Sequence, residues 1–263
     1  MTASQDAALL TMIRDLGRRR GRERRGLALA EGIRLVEEAL AAGVAVRGAA
    51  VSPALEATPR GQALKSALGC RGVRLADVTT PELDALADTE HPQGVVAVIE
   101  PRAWALQDVP TPPGAVLLVL DAVQDPGNVG TILRTALGLG AVGVVTLKGT
   151  AELTNPKVLR GSMGASFRLP AVASETQGLL SWARERGVEL WVAAADGAPI
   201  RRALDRSGRA PVAIVVGNEG AGVGPELAAV AARRVAIPLV PAAESLNVAV
   251  AAAILLYEVT RDA

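Results

Sequence analysis

Three polar clusters, each set in an apolar stretch, hold the side chains that could do chemistry. They are Asp121 to Arg134 with Asn128 between, Asn218 with Glu219, and Glu244, Ser245 and Asn247. The second cluster lies in Gly217-Asn218-Glu219-Gly220-Ala221-Gly222-Val223-Gly224-Pro225, where four glycines in eight residues let backbone approach a ligand closely or turn through positive φ. Phosphate cradling is excluded there. A P-loop needs Lys and Ser or Thr after its last glycine, and this loop continues with Pro225 and Glu226. Glu219 brings a charge into the turn and needs a partner. The third cluster follows a short apolar strand ending at Pro238 and leads into residues 248–256, which carry no charge. Ser245 stands where an N-cap belongs. A helix apolar on every side is expected to be enclosed by protein, which would hold the preceding turn rigid. Neither 217–224 nor 239–247 contains lysine or arginine, so a ligand bearing positive charge would not be repelled.

The elements that position these clusters alternate. Strands are expected at 116–121, 142–147, 189–194, 212–217 and 234–237, and helices at 129–139, 156–162, 175–187, 225–231 and 246–260. Continuous Val, Leu and Ile strands between helices mean a parallel sheet covered on both faces. Ligands of such sheets bind beyond the carboxyl ends of the strands, and all three clusters sit there. Gly138-x-Gly140-x-x-Gly143 fits a dinucleotide fingerprint by letter, but it follows a helix and leads into a strand, the reverse of what pyrophosphate binding requires.

Leu118-Val-Leu-Asp121-Ala-Val-Gln124-Asp125-Pro126-Gly127-Asn128-Val-Gly130-Thr131-Ile-Leu-Arg134, the glycine loop, and residues 235–258 together resemble the three motifs of the SpoU/TrmH class of SPOUT RNA ribose 2′-O-methyltransferases, in order and spacing. The likeness spans residues 116–259. It implies an α/β parallel-sheet SPOUT domain with a C-terminal trefoil knot, against the general avoidance of knots. It implies S-adenosylmethionine as methyl donor and a homodimer with active sites near the subunit contact. Gly217, Ile237 and Leu246 would line the adenosine pocket beside Asn218 and Pro238, with Ala195 to Gly197 as a third wall. Asn128, Arg134, Glu219, Ser245 and Asn247 would form the catalytic group. The family's arginine at position 134 is proposed to activate the 2′-hydroxyl. A free-base arginine, however, would cost on the order of 7 kcal/mol at neutral pH. Arg134 is therefore expected to clamp phosphate and stabilise developing charge, the proton leaving through phosphate or water. Lys157 and Arg160, at i and i+3, match a family segment near the substrate and either grip RNA backbone or lie as surface charge.

The remaining composition sets bounds. At 263 residues the chain holds one large or two modest domains. No apolar run of about eighteen residues exists and the start lacks a signal-peptide pattern, so a cytoplasmic protein without membrane association is expected. Cys70 is the single cysteine, which excludes a disulfide framework or zinc cluster; a small core residue and no metal are expected. Net charge is +1, but arginines stand at 14, 18, 19, 20, 22, 24 and 25 against only Asp15 and Glu23. Such clustering seeks phosphate, with a solvated helix face as the alternative. Arg18, Arg19, Arg22, Arg24 and Arg25 are the candidate RNA contacts, to backbone and shape because stacking aromatics are absent.

Residues 28–99 alternate short strands and helices and resemble the RNA-binding domain, akin to a ribosomal protein, that precedes the catalytic domain in many family members. Glu31-Gly32 and His91-Pro92-Gln93-Gly94 match its landmarks, and His91 reads as a turn residue. Pro110, Pro112 and Pro113 mark 101–114 as a linker. The expected organisation is an RNA-binding domain at 1–100, the linker, and a catalytic domain at 115–263. The N-terminal domain favours rRNA, 23S rRNA in particular, over tRNA. A tRNA enzyme, an antibiotic-resistance rRNA enzyme and a non-catalytic RNA-binding protein are the alternatives, the last disfavoured by the intact polar residues. A nucleotide-dependent oxidoreductase is disfavoured by the misplaced fingerprint.

Overall fold

The computed structural model describes residues 2–203 and 210–261. They form two units, Met1–Arg102 with Thr154–Phe167, and Ala103–Leu153 with Arg168–Ala263.

In the first unit the chain runs through α1 (Thr2–Leu16), α2 (Arg19–Arg25), β1 (Ala28–Glu31), α3 (Ile33–Ala41), β2 (Ala45–Val51), α4 (Pro53–Glu56), α5 (Pro59–Cys70), β3 (Leu75–Asp77), α6 (Thr80–Asp84) and β4 (Val95–Glu100). The sheet order is β1-β4-β2-β3, with β4 antiparallel to both neighbours and β2 parallel to β3. Strand β4 shows why its sequence is apolar throughout. Successive side chains point to opposite faces, so Val95, Ala97 and Ile99 enter one core with residues of α3 and α5, while Val96 and Val98 enter another with Leu9, Ile13 and Leu16 of α1. Cys70 closes α5 at the surface and is exposed, so the small-core-residue expectation fails. The α5 helix turns its buried side chains, Leu64 and Leu68, elsewhere.

The second unit contains β5 (Val116–Leu120), α7 (Pro126–Gly138) and β6 (Val144–Thr146). Next comes α8 (Pro156–Ser162), which the expected organisation assigned to this unit. Instead Leu159 and Phe167 pack into the first unit's core, among Ala30, Ile33 and Leu35. Then follow β7 (Ala171–Ala173), α9 (Thr176–Arg186), β8 (Glu189–Pro199), α10 (Ile200–Ala203), β9 (Val212–Val216), α11 (Pro225–Ala229), β10 (Arg233–Ala236) and α12 (Val248–Thr260). Among the described residues the sheet has six strands in the order β10-β8-β9-β5-β6-β7, every pairing parallel. The apolar pattern predicts five of them and misses β7, Ala171–Ala173.

Strands β5 and β9 lie side by side at the centre with every residue buried. Leu117, Val119, Ala213 and Val215 share a core with Leu179 and Trp182 of α9. The alternate residues face the other way, where α12 packs on both strands and on α7. Chain order reverses beside β5: β6 and β7 lie on one side of it, β9 and β8 on the other. This is the switch point at which open α/β sheets bind ligands.

Helix α12 is not enclosed all round, as its composition suggested. Val250 and Tyr257, seven residues apart and so on one helix side, are 47% and 53% exposed, while Val248, Ala249, Ala252, Leu255 and Leu256 are buried. Only one side of the helix meets the sheet and α7.

Candidate active site

The loops after β5, β9 and β10 carry the three polar clusters, and one asparagine joins them. Asp125 caps α7, its Oδ1 accepting the Asn128 amide at 2.7 Å, with Pro126 in the first helical position, where no amide is needed. The helix therefore starts at Pro126, three residues before the expected 129. This cap fixes Asn128 in the first turn. Its Nδ2 donates to Glu219 Oε1 at 2.6 Å, and its Oδ1 accepts from Asn247 Nδ2 at 3.0 Å. Asn247 in turn caps α12, its Oδ1 accepting the amides of Ala249 (2.9 Å) and Val250 (3.4 Å).

The chemistry allows one orientation of this line. A carboxylate only accepts, so Asn128 must turn its Nδ2 to Glu219 and its Oδ1 to Asn247. The Asn247 Oδ1 is spent on the cap, which leaves its Nδ2 to face Asn128. Glu219 thus has the partner that its charge required. Asn247, and not Ser245, is the cap of α12. Both are good cap residues, and the helix starts two residues later than Ser245 would set it.

Asn218 builds the loop that carries Glu219. Its backbone pairs with Gly222 in both directions (3.1 and 2.8 Å), and its Oδ1 accepts the amides of Gly220 and Ala221. Its Nδ2 donates to the Ala122 carbonyl at 3.1 Å. Gly217 has no alternative, since a Cβ there would lie 2.2 Å from the Gly222 backbone. Asp121, to which the sequence alone gives no role, accepts the Gly224 amide through Oδ2 at 2.7 Å. No local sequence signal marks that pairing.

The other candidates fall around this line. Ile237 and Leu246 are half-buried and Pro238 exposed, at the two ends of the β10–α12 loop. Strand β8 pairs with β10 at Trp191 and Val192 and again at Ala198 and Pro199, so residues 193–197 bulge out between. A Cβ on Gly197 would lie 2.7 Å from the Val235 backbone, so this bulge, with Ala195, runs against the strand that leads to Ile237. Ser245 is exposed and takes no part in the line. Arg134 is exposed on α7, about two turns beyond Asn128. No hydrogen bond or ion pair to it is found among the described residues, so its guanidinium is available to an anion.

The basic candidates divide. Arg22 is 5% exposed and donates to the carbonyls of Leu16 (3.0 Å) and Gly17 (3.2 Å). It locks α2 to the end of α1 and does not reach RNA. Arg24 and Arg25 each reach Asp15 at 2.7 Å, and Arg19 reaches Glu23 at 2.6 Å. The hydrogen bond from Arg25, with Arg24 adding to it, holds the Asp15 carboxyl below its usual value. Arg18 and Arg20 are exposed. Arg160 is committed inside the first unit, to Asp88 at 2.8 Å and to buried Glu31 at 3.4 Å. Glu31 also accepts from the Asp88 and Thr89 amides and the Thr89 hydroxyl. Arg160 is therefore a structural residue, not a grip on RNA. Lys157 is exposed.

A parallel sheet whose strand-end loops are joined by one polar line places the candidate site at the carboxyl edge of an α/β domain. The model described as SpoU rRNA Methylase family matches residues 115–257, and that described as MRM3-like substrate binding domain matches residues 10–97. The chain belongs to the SpoU rRNA methylase family. It is 37% identical to the 23S rRNA (guanosine(2553)-2'-O)-methyltransferase RlmP of Bacillus subtilis, over 71% of this chain and 72% of that one. It is 31% identical to a 23S rRNA (uridine(2479)-2'-O)-methyltransferase of Streptomyces viridochromogenes, over 94% and 87%. A crystal structure of an AdoMet-bound rRNA methyltransferase from Sinorhizobium meliloti superposes with a TM-score of 0.86 at 31% identity, covering 97% of this chain and 94% of that one.

Proposed function

We propose that this chain transfers a methyl group from S-adenosylmethionine to a ribose 2′-hydroxyl of 23S rRNA, working in the cytoplasm as a homodimer, with residues 1–100 holding the RNA. The observation that carries this reading is the Asn247–Asn128–Glu219 line, which ties together the three motifs shared with the family.

The donor fits the residues present. Glycine backbone at 217 and 197 packs where a Cβ has no room. The loops 217–224 and 239–247 carry carboxylates and amides but no lysine or arginine. Gly217, Asn218, Ala195, Gly197, Ile237, Pro238 and Leu246 would hold the donor. When bound, it supplies a methyl group on a cationic sulfur, open to attack by an oxygen nucleophile. The chain's own part is largely positional, because such a displacement needs in-line approach. Asn128, Glu219 and Asn247 fix the loops, and Ser245 lies exposed beside them for the substrate. Arg134, always charged at neutral pH, holds the RNA phosphate next to the reacting ribose and stabilises charge on its oxygen. The hydroxyl proton then leaves through phosphate or water. Arg18, Arg19, Arg24, Arg25 and Lys157 supply RNA-backbone contacts, the paired ones by exchanging a surface carboxylate for phosphate.

The homodimer reading rests on the exposed side of α12. Val250 and Tyr257 on α12, Leu137 on α7, and Leu239 and Val240 of the preceding loop are exposed apolar side chains that a second copy would cover. The C-terminal trefoil knot is carried over from the family.

Radiolabelled S-adenosylmethionine, the purified protein and rRNA or tRNA from cells lacking the gene provide the test. Label on a ribose of 23S rRNA is expected, with the protein sedimenting as a dimer. Arg134→Ala is expected to keep donor binding by calorimetry and to lose about 10²-fold or more in turnover. Label on tRNA alone would move the substrate assignment, and label on neither RNA would overturn the reading.

A further inference from the structure

The elbow between β5 and α7 does more than lead to Asn128. Asp121 accepts the Gly224 amide at 2.7 Å. The next residue, Ala122, stands at φ +56, a left-handed conformation uncommon for a residue with a side chain. There its carbonyl accepts Asn218 Nδ2 at 3.1 Å. The 217–224 loop therefore has two feet on one elbow. One foot is Asn218, adjacent to Glu219; the other is Gly224, two residues past the closure at Gly222. Between them the loop is shut on itself by the Asn218–Gly222 pair. A closed turn held at one point can pivot, and a second attachment removes most of that freedom. Glu219 projects from this turn to Asn128 at 2.6 Å. The direction of its carboxylate is set by both feet.

We propose that Asp121 is a positioning residue for the transfer. Its carboxylate fixes the exit of the 217–224 loop and thereby the direction in which Glu219 meets Asn128 and, through it, Asn247. The bond is charge-assisted, an ionised acceptor on a backbone amide, which makes it the stronger kind of hydrogen bond. An amide oxygen at the same position keeps an acceptor. A longer acid keeps the charge but moves the acceptor by about one carbon–carbon bond.

This inference rests on the methyltransferase reading for its kinetic readout only. The full chain is compared with Asp121→Asn, Asp121→Glu, Asp121→Ala, Glu219→Ala and the Asp121→Glu/Glu219→Ala double variant. Turnover, donor KM and hydrogen exchange of the 218–224 amides are measured. Asp121→Glu and Asp121→Ala are expected to lose about ten- to hundredfold in turnover, as small misplacements near a reacting centre do. Asp121→Asn is expected within about threefold of the parent. With Glu219→Ala already present, which removes the acceptor for Asn128, Asp121→Glu should add less than about twofold, because the two changes damage one arrangement. Exchange across 220–224 should quicken in Asp121→Glu and return in Asp121→Asn. Fully additive losses, Asp121→Asn as poor as Asp121→Glu, or unchanged exchange would each overturn the proposal. Because exchange needs no turnover, a parent that methylates no RNA would sink the functional reading and leave Asp121 judged by exchange. If Asp121→Ala does not fold, the Asn and Glu variants still decide.

Discussion

Two polar regions of this chain use hydrogen bonds at different ranges. In the arginine arm of α1 and α2, Arg19 bonds four residues away, and Arg24 and Arg25 bond nine and ten residues away. In the loops of the second unit, Asn128 bonds across 91 residues to Glu219 and across 119 to Asn247. The arm pairs Arg19, Arg24 and Arg25 with its two nearby carboxylates and sets Arg22 on carbonyls, leaving Arg14, Arg18 and Arg20 exposed to a partner. The loops pair their polar groups only by meeting, so these groups specify a tertiary arrangement. Polar density alone would rank the arm above the loops as a site. The range over which partners are found ranks them the other way.

Asn247→Asp tests this contrast most severely. Asp caps a helix as well as Asn does, so the melting temperature should shift by under about 2 °C. The new carboxylate cannot donate to Asn128, however, and it sets a second negative charge on the line beside Glu219. Turnover should fall by about tenfold or more. Undiminished turnover with normal folding would show that the line only braces the fold.

The arm should respond in the opposite sense. Arg22→Ala removes a buried guanidinium from two carbonyls and should cost about 2–3 kcal/mol in urea unfolding. Its effect on the salt dependence of RNA binding should be small. Arg18→Ala with Arg20→Ala should leave stability within about 0.5 kcal/mol. The same pair should lower the salt slope of RNA binding by about one for each phosphate no longer neutralised. If Arg22→Ala flattened the slope and the exposed pair did not, the division of the arm would be wrong.

The smallest effect belongs to Asp15. Its folded-state pKa lies below the unfolded value of about 3.9, so its contribution is fully present above that pH and is lost as pH falls through the lower folded value. Asp15→Asn should therefore narrow its stability difference from the parent as pH drops from about 5 to about 3, followed by urea midpoint. A constant difference across that range would mean that the pairing with Arg25 and Arg24 adds nothing.

Much of the second unit is legible in the sequence because its strands are apolar runs and its polar residues stand out from them. The types of Asn128, Glu219 and Asn247 can be picked out, but their mutual bonding cannot, since no spacing records which distant loops meet. Ser245 and Asn247 are both good caps two residues apart, and only the helix start decides between them. The Asp125-Pro126 start of α7 is readable as acidic cap plus first-turn proline, yet the apolar period alone puts it three residues late. Asp121 is hidden because its partner is a backbone amide, which has no letter. Leu159 and Phe167 suit either core by hydropathy, so nothing in the sequence assigns α8 to the first unit. Arg22 and Arg160 look like their exposed neighbours until burial separates them.

The amide of Asn247 serves the start of the last helix and the polar line with the same side chain. In a molecule whose last helix had not yet docked, Asn128 would lack one of its two orienting partners. Turnover would then report whether the final element had docked, so that an incompletely folded copy would be silent on RNA rather than slow. Completion of folding and competence for the reaction would be gated by one residue.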